Sequence, residues 1–114
     1  MVQAAFEVHK RLGPGMLESV YEICFCHELA KQGIQFKKQT MVPIKYDGII
    51  FDSALRLDVI VEEIVVCELK ALEILLPVHH AQVLSYLRLM NLRLGFLRNF
   101  HVPLIKQEIK RIIL

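Results

Sequence analysis

The chain has 114 residues, with 14 Lys and Arg against 12 Asp and Glu, a formal charge of +2, and 54 % hydrophobic residues. That near-balance excludes a polybasic tail protein and an acidic disordered chain, while the apolar content demands extensive burial. One compact domain over residues 1–114 achieves it, removing roughly two-thirds of the unfolded chain's area from water, and a homodimer surface would take up any surplus.

Val2 to Leu12 reads as a helix stopped by Gly13-Pro14-Gly15. Leu17 to Gln32 reads as a second, with Leu17, Val20, Tyr21, Cys24, Phe25 and Leu29 as its apolar stripe and Gly33 just past its end. Ile34 to Tyr46 is strand-like with an interruption near Pro43, and Asp47-Gly48 turns the chain into Ile49 to Phe51. Leu55 to Val61 and Ile64 to Lys70 are rich in β-branched residues and read as strands. Pro77 opens a third helix running to about Asn91, Leu92 to Phe100 reads as a strand, and Leu104 to Ile113 reads as a strand or short helix. This order predicts an α/β or α+β domain, a mixed central sheet flanked by helices.

The cysteines Cys24, Cys26 and Cys67 are odd in number and come without a secretory signature, which predicts reduced thiols and a cytoplasmic location. Charged Glu7, Lys10 and Arg11 stand where a signal peptide needs an apolar run. The longest uncharged stretch, Ile74 to Leu87, is too short to span a bilayer, so no membrane association is expected.

Charge is unevenly distributed. Residues 52–73 hold six acids and two bases, a balance of 2 − 6 = −4, whereas residues 31–45 hold Lys31, Lys37, Lys38 and Lys45 and residues 88–98 hold Arg88, Arg93 and Arg98, without an acid in either. An acidic centre between basic segments suits a divalent cation with a polyanion around it; ordinary solvated charge is the alternative.

Within the acidic centre, Asp58, Glu68 and Lys70 are embedded among Val59, Ile60, Val61, Ile64, Val65, Val66 and Leu69. Charges in such surroundings are costly unless paired or bound to a metal. Glu68 and Lys70 are two apart and share one face of a strand, either around a common ligand or as an ion pair on a solvent-facing edge. A two-residue turn at Glu62-Glu63 would pair Asp58 with Cys67 and place Asp58 on the face opposite Glu68. A three-residue loop, a wider loop or a bulge brings the two acids together, and Glu-Glu is poor chemistry for the tight turn. On the third helix His79, Gln82 and Tyr86 share a face by their spacing, to contact a phosphate or base or, for Tyr86, to fill the core. Glu18 lies in the first turn of the second helix, where the helix dipole favours a carboxylate.

Together GPGMLESVYE (13–22), RLDVIVEEIVVCELKA (56–71), HHAQVLSYL (79–87) and LGFLRNF (94–100) resemble the small GxxExxY proteins, grouped with the PD-(D/E)xK nuclease superfamily. The resemblance implies a restriction-endonuclease-like core and further helical residues before Val2. It makes Asp58 the motif Asp, Glu68 and Lys70 the ExK element, Gln82 and Tyr86 a QxxxY helix motif, and Glu18 the helix-borne Glu. It further implies Mg²⁺ or Mn²⁺ held by Asp58, Glu68 and the Leu69 carbonyl, with Glu18 completing the shell and Lys70 orienting or deprotonating a water. The expected activity is hydrolysis of phosphodiester bonds in DNA, with Gln82 assisting and Tyr86, His79, Lys37, Lys38, Arg88 and Arg93 contacting substrate. The competing expectation is a nucleic-acid-binding or assembly module that keeps the fold without turnover.

Overall fold

The computed structural model describes residues 1–102 and 109–114, the side chains of residues 52–54 excepted. Its elements are α1 (Val2–Leu12), α2 (Glu18–Lys31), β1 (Phe36–Tyr46), β2 (Ile49–Val61), β3 (Val65–Lys70), α3 (Pro77–Met90), β4 (Leu94–Asn99) and β5 (Ile109–Ile113). The terminal segment is thus a strand over Ile109–Ile113, and residues 104–108 of the expected element lie outside the described residues.

Local chemistry sets the helix ends. α2 closes where Gly33 adopts φ +71°, so that its N–H reaches the Ala30 carbonyl and the Ile34 N–H reaches that of Leu29, both at 3.0 Å. Leu17 departs from the expected stripe. It sits at the N-cap with an extended backbone, outside the helical periodicity, and is 74 % exposed. Pro77 stands in the first turn of α3, and Asn91 ends that helix in the left-handed conformation.

The described strands form one sheet in the order β1-β2-β3-β4-β5, antiparallel throughout except for the parallel β3–β4 pair, which α3 connects. Alternation along β3 divides the interior in two. Cys67 and Leu69 join Val59, Val61 and Phe100 beneath α1 and α2, packed against Ala4, Val8, Tyr21, Phe25 and Leu29. Val66 lies on the other face, under Val83, Tyr86 and Leu87 of α3, and Glu68 and Lys70 follow it by parity. α3 approaches β4 so closely that a Cβ on Gly95 would stand 2.8 Å from Val83 Cγ1.

Two features depart from a simple sandwich. β2 meets β3 only over Val59–Val61, so the outer parts of β1 and β2 pair with each other alone, as a ribbon turning at Asp47-Gly48. Its register shifts between Val42 and Ile44, at the Pro43 anticipated as an interruption. Arg98 corrects the sequence reading of a basic surface segment: it is fully buried, its guanidinium carbon 5.1 Å from the Phe96 ring centroid and 5.8 Å from that of Phe25. Among the described residues its nitrogens have no hydrogen-bond partner.

Candidate active site

The geometry of the acids follows from the β2–β3 connection. Val61 pairs with Val65, leaving Glu62, Glu63 and Ile64 as a three-residue loop. Glu62 and Glu63 both take positive φ, at 53° and 58°, and the Ile64 N–H donates to the Val61 carbonyl at 3.0 Å. Gln35 anchors the loop: its carbonyl accepts from the Glu62 N–H at 2.9 Å, and its N–H donates to the Glu62 carboxylate at 3.1 Å. Relative to a two-residue turn, the register moves by one, and the pairing Val59↔Cys67 extends to bring Asp58 opposite Glu68.

There the side chains take over the ladder. The Asp58 N–H donates to Glu68 Oε1 at 3.0 Å, and the Leu69 N–H donates to Asp58 Oδ2 at 2.9 Å. A strand residue's N–H and C=O project to the same edge, so the Leu69 carbonyl faces β2 beside Asp58. The Lys70 carbonyl faces the other way, accepting the Phe100 N–H at 2.9 Å. Three oxygen donors therefore converge on the opening where β2 leaves β3.

Glu68 is 3 % exposed, which removes the reading of an ion pair on a solvent-facing edge. Burial first, and then the neighbouring Asp58 charge, push its carboxyl up to about 8. Asp58 is raised too, chiefly by burial; the Leu69 N–H and the Lys70 charge oppose the rise, and the Glu18 charge adds to it. Two carboxylates held together out of water favour a proton or a cation between them.

Lys70 also borders an open groove of about 480 Å³ lined by Val78, His79, Ala81, Gln82 and Ser85 of α3. His79 Nδ1 accepts the Leu76 N–H at 2.9 Å, capping the helix, so in the neutral ring Nε2 carries the proton. Tyr86 is 4 % exposed and belongs to the core beneath α3, so it is not a surface contact for substrate. Its hydroxyl nevertheless feels Glu68 and Asp58, whose charges add to burial in raising its pKa, while the Gln82 amide opposes them.

Other expected residues stand apart. Glu18 is exposed at the start of α2 and reaches Asp58 through its charge; among the described residues, no three His, Cys, Asp or Glu side chains are gathered as a metal cage. Arg88 and Arg93 are placed at the wrong end. α3 runs away from Lys70, and Arg93 precedes Leu94, which pairs with Val65; Lys70 pairs with Asn99 five residues further on, roughly 17 Å away. Lys37 is bound to Glu63 at 2.8 Å, and Lys38 pairs across from Val59 with its charge near Cys26, on the α2 side.

Two positioning residues escaped the sequence reading. Buried Asn99 accepts the Leu72 N–H at 2.9 Å and donates to the Leu72 carbonyl at 2.7 Å, fixing the chain just past Lys70. Tyr21 stacks on Phe100 at 4.5 Å, and its hydroxyl donates to the Gly13 carbonyl and accepts the Met16 N–H, tying down the loop before Glu18. The only signal was a polar residue ending an apolar strand in one case and the tyrosine of GxxExxY in the other.

A mixed sheet with its acids where a hairpin opens and a lysine on the adjoining strand defines a restriction-endonuclease-like core. The chain belongs to the PD-(D/E)XK nuclease superfamily, whose description matches residues 1–112. Among curated proteins and solved structures, nothing matches it.

Proposed function

We propose that the chain is a divalent-metal-dependent nuclease of the GxxExxY group that hydrolyses phosphodiester bonds in DNA. The observation that carries this reading is the pair of hydrogen bonds from the Asp58 N–H to the Glu68 carboxylate and from the Leu69 N–H to the Asp58 carboxylate, which sets two desolvated carboxylates and the Leu69 carbonyl at one opening beside Lys70. These are the hard oxygen donors that Mg²⁺ or Mn²⁺ takes, and members of the superfamily generally use divalent metals. Asp58, Glu68 and Leu69 would hold the ion, and Glu18 supports it through charge. When bound, such a cation neutralises charge on the scissile phosphate and acidifies a water.

The protein's own groups do the rest. Lys70 orients the attacking water and assists its deprotonation, its position fixed beside the two carboxylates. Gln82 through its amide and His79 through Nε2–H line the groove as donors for phosphate oxygens, and Tyr86 fixes the Gln82 amide from beneath. Three free thiols fit a cytoplasmic setting, and no described helix is long and apolar enough to cross a membrane.

Cleavage of single-stranded, double-stranded and branched DNA and of RNA, each with Mg²⁺ and Mn²⁺, tests the reading. Lys70→Ala is expected to fold normally and lose at least ~100-fold in rate. Unchanged cleavage by that variant would sink the assignment. One observation favours a second reading, a binding module without turnover: Glu18 does not close a side-chain cage with Asp58 and Glu68. Salt-sensitive DNA binding with no product in any metal would establish it.

A further inference from the structure

We infer that the substrate strand continues from the carboxylates over the first turn of α3 into a second cavity, where Lys110 and His80 hold a backbone phosphate close to the one under attack; this rests on the nuclease reading above. The cavity, of about 300 Å³, is lined by Leu75, Leu76, Pro77, His80, Leu97 and Lys110. It opens on the β5 side of α3, whereas the groove of Lys70, His79 and Gln82 opens on the β3 side.

Charge calls for such a site. A nucleic-acid strand carries one negative charge per nucleotide, and the groove beside the two acids offers it a single cation, Lys70. Lys37 is engaged by Glu63, Lys38 lies on the α2 side and Arg98 is buried. Arg88 and Arg93 stand at the far end of the sheet. Lys110 lines the cavity next to that groove, His80 adds a second nitrogen donor, and no described acid shares the lining.

Register sets the distance. Asp58 lies opposite Glu68, Glu68 pairs with Leu97, and Leu97 pairs with Lys110, so these four form one row across β2, β3, β4 and β5 on the face that α3 covers. At ~4.8 Å between neighbouring strands, the Cα atoms of Glu68 and Lys110 are roughly 10 Å apart, within reach of near-neighbour phosphates on one strand. Leu97, buried in the row between them, closes the floor. His79 and His80 diverge by about 100° around the helix, which gives one to the Lys70 groove and the other to the Lys110 cavity. Between the two openings Leu76 and Val78, 52 % and 62 % exposed, offer bases an apolar surface.

The test follows binding by fluorescence anisotropy in EDTA, which prevents cleavage, over a series of salt concentrations. The probes are a labelled single strand of about 20 nucleotides and its duplex. Four proteins are compared with the unaltered one: the double variant His80→Ala with Lys110→Ala, the single variants Lys110→Arg and Lys110→Ala, and Arg88→Ala with Arg93→Ala. His80 and Lys110 are exposed, so their truncation leaves the core intact. The double variant at His80 and Lys110 is expected to bind at least ~5-fold more weakly, with the slope of log K against log salt shallower by ~0.7–0.9, the loss of one phosphate contact. Lys110→Ala should account for the change in slope, while Lys110→Arg and the variant at Arg88 and Arg93 should bind within about twofold of the unaltered protein. Undiminished affinity in the double variant, an equal loss from Arg88 and Arg93, or no binding by the unaltered protein overturns the proposal. Cleavage that requires Lys70 and keeps its kcat and KM in the double variant removes the cavity and leaves the nuclease. A binding difference in a protein that no metal renders active upholds the cavity and removes the nuclease reading.

Discussion

Glu68→Gln should make the protein more stable at neutral and mildly alkaline pH while abolishing its response to divalent metal. The folded state raises Glu68 from 4.5 to about 8, so it holds the proton more tightly than the unfolded chain does. The resulting stabilisation is complete below the unfolded value and is lost as pH rises through the folded one. At ~1.4 kcal/mol per unit, that displacement amounts to roughly 4–5 kcal/mol for a group this deeply buried, on the order of 15 °C in unfolding temperature. Glutamine keeps an oxygen for the Asp58 N–H and removes the charge. Thermal unfolding across about pH 5 to 8, with and without Mn²⁺, is the assay. The unaltered protein should lose stability as pH rises and regain it with Mn²⁺, whereas the variant stays level in both. Parallel pH profiles for the two proteins would show that Glu68 carries no buried-charge penalty and would refute the electrostatic account.

Asn99→Ala should destabilise by about 2–3 kcal/mol in denaturant titration, since it orphans the Leu72 N–H and carbonyl. It should also slow cleavage by loosening the segment after Lys70. Gly95→Ala should cost about 1–3 kcal/mol, because its methyl group meets Val83 between α3 and β4. Arg98→Met should raise stability by ~1–3 kcal/mol, since it removes a fully buried guanidinium whose only described company is two aromatic rings and the Cys67 thiol. A lower unfolding midpoint for that variant would contradict it.

Punctuation made most of the fold legible. Gly13-Pro14-Gly15, Gly33, Pro43, Asp47-Gly48 and Pro77 each mark a boundary or break that the structure contains, because each encodes a backbone preference of its own. Residues whose fate depends on distant partners were less legible. Arg98 looks like a surface cation until β4 proves central, and Leu17 fits a helical stripe until the helix proves to begin one residue later. Arg88 and Arg93 are close to the acidic centre in sequence but not in space, since the parallel crossover carries them to the far end of the sheet. The face of Asp58 turned on loop length, and nothing in Glu62-Glu63 advertises two consecutive left-handed residues.

That loop makes the proposed chemistry depend on a count. Nine residues separate Asp58 from Glu68, and with both acids intact, deletion of one codon at Glu63 would send their side chains to opposite sides of the sheet if the connection stayed three residues long, and would spare them only by closing to a two-residue turn. Among related chains, an acid pair with the right letters and a spacing that does not match its turn length would keep the motif and lose the site. Activity could then disappear or return in evolution by a length change in a surface turn, with no substitution at any acidic position.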